Sequence, residues 1–278
     1  MKTVFIGLAL LIITSTTFCQ SAAIKVERTG NGNPVLFLPG FTTPGSVWNE
    51  TIRNLQGKIE SFMVSYAGFN GMPPIDTPWY PAIKESIIQY IKLENLSNLV
   101  IVGHSMGGNL AVDIAAALPE RVSKMVLVDA IPCMRELMMP GVPAKQIQYK
   151  SPYNDQQLKM GEEAFSQIAS MMASNMTMNT SKVDTLKHWM MQADRKTYVY
   201  GYTDLLKLDL RPTLEKVNAE TLILGASFPY AEMAKQTFES QYAKLKNKTI
   251  EMADNSKHFI MFDQPAWLYE KINAFMKR

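Results

Sequence analysis

A five-residue turn constrains this chain more than any other feature. Gly103-His104-Ser105-Met106-Gly107 follows directly on the apolar run Asn98-Leu99-Val100-Ile101-Val102 and leads into Gly108-Asn109-Leu110-Ala111-Val112. This pattern reads as a strand, a sharp turn and a helix, with a serine at the apex. Glycines belong there because the backbone is strained and the two flanking elements approach closely. Such a turn lifts the serine hydroxyl above the sheet. It also sets the serine at a helix N-terminus, where free N–H groups can stabilise an oxyanion. An exposed, nucleophilic Ser105 is therefore the first functional expectation.

The rest of the chain supplies the matching architecture. Apolar, β-branched runs alternate with helical patterns, which predicts an α/β fold: a mostly parallel sheet flanked by helices. Strands are expected at 34–38, 61–66, 99–102, 124–129, 221–224 and 249–252, with an edge strand at 24–28 ended by the turn Gly30-Asn31-Gly32-Asn33. Helices fit 46–55, 80–93, 107–118, 231–244 and 265–277. The rhythm breaks between about 132 and 217, where Phe165, Ile168 and Met172, then Val183, Leu186 and Met190, follow helical spacing. Ser181 with Asp184 resembles a capping box at the start of that second helix. The expected organisation is a core from 23–131 and 218–278, with a helical lid at 132–217 above the strand ends that bind ligands in such sheets.

Bulk properties narrow the function. The formal net charge is only +3 and spread along the chain, so nucleic acid is not an expected partner. No His/Cys/Asp cluster has metal-ligand spacing and no phosphate-binding glycine string occurs, so neither a metal nor a cofactor is expected. Lys2 followed by the apolar run from Val4 to Ile13 has the form of a signal peptide over residues 1–22. Cleavage would fall after Cys19 or near Ala22 and Ala23, leaving an exported protein; a lipid-modified Cys19 is a weaker reading because Phe18 precedes it. The run is too short to span a bilayer, so no stable membrane insertion is expected. Only Cys133 would remain with the core, as a quiet structural thiol without a disulfide partner. Oligomeric state cannot be read from the sequence.

Four segments together resemble the α/β-hydrolase fold family, and the resemblance covers nearly everything after the signal. They are Leu36-Phe37-Leu38-Pro39-Gly40-Phe41 with Trp48, the turn at Gly103–Gly108, the strand Met125-Val126-Leu127-Val128-Asp129-Ala130, and Lys257-His258-Phe259-Ile260-Met261-Phe262-Asp263-Gln264-Pro265. The resemblance implies that His258, in a loop after the last strand, is the base that activates Ser105. His104 adjoins the serine, but the tight turn directs its side chain to packing or a pocket contact. His188, beside Trp189 on a lid helix, reads as a solvated or core histidine.

Many family members carry the triad acid just after the strand corresponding to 221–224. Here that loop is Gly225-Ala226-Ser227-Phe228-Pro229-Tyr230-Ala231-Glu232 and contains no Asp. Other members place the acid at the end of the preceding strand, where this chain has Asp129. Asp129 is the preferred acid, with Glu232 the alternative. The backbone amides of Phe41 and Met106 match the family's oxyanion hole.

The lid holds Met134, Met138, Met139, Met160, Met171, Met172, Met176, Met178, Met190 and Met191. Flexible thioethers suit an adaptable apolar pocket, and His104, Trp189 and Phe228 are the candidate substrate contacts. The expected function is an exported serine hydrolase of small to medium carboxylic esters, with lactones and amides within the same chemistry. The rival readings are a slow-turnover ligand receptor and an acyltransferase on the same acyl-enzyme.

Overall fold

The computed structural model describes residues 23–277; the signal-peptide expectation therefore lies outside the described residues. Seven strands form one sheet: β1 (Ile24–Gly30), β2 (Asn33–Leu38), β3 (Ile59–Tyr66), β4 (Leu99–His104), β5 (Val122–Val128), β6 (Glu220–Ala226) and β7 (Lys248–Ala253). Their order is β1-β3-β2-β4-β5-β6-β7, and only β1 runs antiparallel to its neighbour. The central strands are apolar throughout because helices cover both faces. In β2, Leu36 and Leu38 point to one core and Val35 and Phe37 to the other, following the two-residue period of a strand. β1 sits at an edge and carries the charge an edge can tolerate: Arg28 pairs with Glu60 at 2.6 Å and with Glu94 at 3.3 Å.

The core helices are α1 (Asn49–Asn54), α2 (Trp79–Leu93) and α3 (Met106–Ala117). Between β5 and β6 come α4 (Met134–Met138), α5 (Pro152–Lys159), α6 (Glu162–Met176), α7 (Val183–Met191) and α8 (Arg195–Lys207). The chain then returns to the core with α9 (Ala231–Gln241), α10 (Ile260–Asp263) and α11 (Pro265–Met276). Ile83, Ile87 and Ile91 of α2 join Leu110 and Ile114 of α3 on one face of the sheet. Leu268, Ile272 and Phe275 of α11 cover the other. Among the described residues no helix is long and apolar enough to cross a membrane.

Three local expectations change. The helix expected at 46–55 is a 3-10 turn, Gly45–Trp48, followed by the short α1. The strand expected to reach residue 129 ends at Val128, because Asp129 turns out of it with φ 44°. The helix-start cap in the insertion is Asn179 rather than Ser181. Its side-chain oxygen accepts both the Ser181 N–H, at 3.1 Å, and the Ser181 hydroxyl, at 2.7 Å. That serine is thus a donor to the cap and is not the cap itself.

Discrete polar contacts hold the insertion, two of them to the core at Gly68 and Tyr80 and the others within the insertion itself. Asp194 N–H donates to Gly68 O at 2.8 Å, and Leu210 N–H to Pro132 O at 2.9 Å. The buried Asp204 carboxylate accepts the Tyr80 N–H at the start of α2, at 3.0 Å, and also the Tyr149 hydroxyl. Arg135 of α4 donates to Leu206 O at the end of α8, at 2.8 Å.

Candidate active site

Ser105 stands between β4 and α3 with φ 53° and ψ −123°, a conformation that non-glycine residues rarely adopt. Close approach enforces it. A Cβ at Gly107 would lie 2.1 Å from Leu38 O, and one at Gly103 would lie 2.4 Å from Gly107 O. Only glycine lets β2, β4 and α3 converge here. The turn is pinned by Ser105 N–H to Val128 O, at 2.9 Å, and by Gly108 N–H to Ser105 O, at 2.8 Å.

The candidate acid, Asp129, directly follows β5. The Asp129 amide donates to Leu224 O at 2.7 Å, which turns the side chain toward the end of β6. Its Oδ1 accepts the Ala226 N–H at 2.8 Å, and its Oδ2 lies 2.6 Å from His258 Nδ1. With Nδ1–H donating to the carboxylate, Nε2 is left as the acceptor that a general base requires. Glu232 lies elsewhere: it is exposed on the first turn of α9 and accepts the Gln236 side chain at 3.2 Å. His188 is exposed on α7.

Both proposed oxyanion donors border the same cavity as Ser105 and His258. The Met106 amide is at the N-terminus of α3, where the helix dipole favours negative charge. Phe41 is held by rings from the core and the insertion. Phe69 lies 4.9 Å away, Trp79 5.8 Å, Tyr198 5.7 Å and Tyr202 6.0 Å. Neither amide has an acceptor among the described residues.

His104 both borders the cavity and packs against the histidine loop. It is 0% exposed, and its Nε2 meets His258 O at 2.9 Å. Burial pushes the His104 imidazole well below its ordinary pKa, helped by the neighbouring His258, so the ring is neutral. Its Nδ1 is buried with no partner among the described residues, and so Nε2–H is the donor to the carbonyl. His104 thus braces the loop that carries the base.

A second brace was not recognised from the sequence. Asp263, at the end of α10, accepts Lys257 N–H on Oδ2 at 2.8 Å. Its Oδ1 accepts the Thr177 hydroxyl at 2.5 Å, Met178 N–H at 2.9 Å and Asn179 N–H at 3.2 Å. Phe259 N–H also donates to Met176 O at 3.0 Å. The histidine loop and the end of α6 are therefore locked together. An Asp just ahead of a helix-starting proline gave the only hint, and it reads equally as a helix-end acid.

The cavity, of about 480 Å³, lies between the carboxyl ends of the strands and the insertion. Trp189 and Phe228 line it, as expected, and so do Met134, Met172, Met176 and Met190. The other insertion methionines do not: Met138, Met139, Met171 and Met178 are exposed, and Met160 and Met191 lie off the cavity. No Lys, Arg or Glu borders it. The phenols of Tyr198 and Tyr202 are pushed up to about 12 by burial and stay neutral. Among the described residues no group of His, Cys, Asp and Glu side chains is arranged to hold a metal ion. Cys133 is a free, buried thiol.

The chain is similar to known proteins over most of its length. Residues 35–271 match the alpha/beta hydrolase family. Over 269 residues the chain is 24% identical to a pimeloyl-[acyl-carrier protein] methyl ester esterase of Aeromonas hydrophila, covering 91% of this chain and 99% of that protein. A shorter match, 26% over 121 residues, joins it to the Nitrosomonas europaea enzyme of the same name; it spans 40% of this chain and 43% of that protein. Among solved structures, an esterase from Exiguobacterium antarcticum superposes with a TM-score of 0.74 at 20% identity, covering 92% of this chain and 96% of the other.

Proposed function

The chain belongs to the alpha/beta hydrolase family, and from that premise we propose that it hydrolyses carboxylic esters through an acyl-enzyme on Ser105. One observation carries the reading: an ordered Asp129–His258 pair and a strained, glycine-buttressed serine share one cavity. The esterases among its relatives support the same reaction class.

The chemistry follows from the geometry. His258 Nε2 takes the proton as Ser105 Oγ attacks the ester carbonyl, and Asp129 holds the imidazolium that forms. The amides of Phe41 and Met106 receive the developing oxyanion. Collapse breaks the C–O bond, and His258 returns the proton to the departing alcohol. A water deprotonated by His258 then attacks the acyl-enzyme, releasing the acid and restoring Ser105.

The neutral cavity favours esters with uncharged acyl and alcohol groups, and lactones or amides of similar size fall within the same mechanism. Export through residues 1–22 is part of the proposal, supported by Lys2 and the apolar run that follows. N-terminal sequencing of the protein recovered outside the cytoplasm checks it. The central test is turnover of p-nitrophenyl butyrate and labelling by a fluorophosphonate. Both are expected in the wild type and absent in Ser105→Ala. Undiminished turnover in that variant would overturn the proposal.

A further inference from the structure

Most large apolar side chains on this molecule are covered, but a group at the cavity mouth is not. Tyr230 is 67% exposed, Met233 63%, Phe228 49% and Leu137 49%, and all four also border the cavity. They come from two separate parts of the chain. Leu137 sits on α4, between the exposed Met138 and the buried end of that helix at Arg135. Phe228, Tyr230 and Met233 sit on the β6–α9 connection and the first turn of α9. The start of α4 is fixed against α9, because Cys133 N–H donates to Gln241 Oε1 at 3.0 Å and Gln241 Nε2 donates back to Cys133 O at 3.2 Å.

Exposed apolar surface is costly in water and, when contiguous with a binding site, marks what the site accepts. These side chains continue the cavity outward instead of closing it. The exposed apolar rim thus borders the same cavity as Ser105. The Lys257 ammonium covers the Phe228 ring at 5.1 Å but lies at the edge of this rim, with its own hydrogen bond to Ser174 O.

Resting on the ester-hydrolase reading, we infer that the substrates are amphiphilic esters whose alkyl chain outgrows the cavity and lies along Leu137, Phe228, Tyr230 and Met233. The occupant of the rim is the substrate's own distal chain. Continuity with the candidate catalytic cavity argues for this: the same four exposed side chains line the space that holds Ser105, so a chain too long for that space has apolar surface to lie on there. Each methylene withdrawn from water strengthens binding up to about fourfold, so the rim rewards chains longer than the enclosed space can hold.

The test is a series of p-nitrophenyl esters from acetate to decanoate, each below its micellar concentration, with the wild type and a Tyr230→Ser/Met233→Ser variant. Both substitutions are at exposed positions, and a thermal melt verifies folding. In the wild type kcat/KM is expected to rise at least about tenfold from butyrate to decanoate. In the variant the decanoate-to-acetate ratio is expected to fall by about tenfold. A flat or falling wild-type series, or an equal loss on both esters, would overturn the inference. A separate arm titrates methyl decanoate into Ser105→Ala protein with and without the rim substitutions, following tryptophan fluorescence. Weaker binding in the rim variant supports the inference, and equal binding overturns it. This arm reads chain binding without turnover, so a failed ester reaction and a failed rim are distinguishable.

Discussion

In β4 every residue from Leu99 to His104 is buried, whereas α6 and α7 together bury only Phe165, Ala169, Ala173, Leu186 and Met190. The sheet therefore holds the candidate reacting groups by continuous packing, and the insertion joins it through fewer buried side chains, among them Ala173, Leu186 and Leu205, with hydrogen bonds and rings beside them. Ser105, Asp129 and His258 all sit at strand ends or the loops directly after them. The insertion contributes Met172, Met176, Met190 and Trp189, which shape the space without entering the proton relay. On the proposed reading, the reacting groups belong to the sheet, and the pocket that selects substrates is lined from both regions.

The hardest blow to that contrast is dealt at the sheet. Ser105→Ala is expected to lower kcat by about 10⁶-fold and Asp129→Asn by about 10⁴-fold, while Glu232→Gln leaves p-nitrophenyl butyrate turnover unchanged. A large loss in Glu232→Gln with a small one in Asp129→Asn would reassign the acid. Asp263 probes the seam between the regions. Asp263→Asn keeps one acceptor but sets an amide NH₂ against either Lys257 N–H or the three insertion donors. A roughly 10- to 100-fold fall in kcat with little change in KM is expected, since small misplacements of the base are costly. If only thermal stability changes, Asp263 has no part in positioning His258.

Substitution inside the insertion should behave differently. Met190→Ala is expected to cost about 2 kcal/mol of stability, because the side chain is buried and leaves a cavity. Its signature in kinetics is a shift in chain-length preference, with Ser105 labelling by fluorophosphonate retained. The smallest effect concerns His104, whose folded form resists protonation. Below its ordinary value of 6.5 the unfolded chain takes up a proton that the folded chain refuses. That contribution to stability is thus complete above pH 6.5 and is lost as the pH falls below it. Urea midpoints from pH 8 to 5 should show the gap between wild type and His104→Gln narrowing on the acid side; a constant gap would mean His104 does not titrate this way.

Much of the architecture was legible because buried parallel strands are apolar on both faces. Val35 to Leu38 and Leu99 to Val102 announce themselves without help from neighbours. The strained turn at Ser105 was legible from its glycines, and the loop carrying His258 from the family resemblance. Asp129 emerged when the alternative loop proved to lack an Asp, and its bond to His258 agrees. What stayed hidden depends on contacts far apart in the chain. The periodicity of α6 and α7 says which face is apolar, but not that Met172 meets a cavity while Ala173 meets the core. Asp263 joins residues 177–179 to residue 257, a connection no local pattern carries. The tight turn at His104 left packing and a pocket contact both open, and its bond to His258 O, a residue 154 positions on, was not legible locally.

The position of Asp129 has a consequence for the strand beside it. Many relatives in this family must keep a carboxylate just past β6, and so that stretch of chain is committed to the proton relay. With Asp129 as the proposed acid, that commitment is lifted here. Ala226 supplies only a main-chain N–H to Asp129, so the proposed relay asks nothing of the side chains of Phe228, Pro229 and Tyr230, which are left for the substrate.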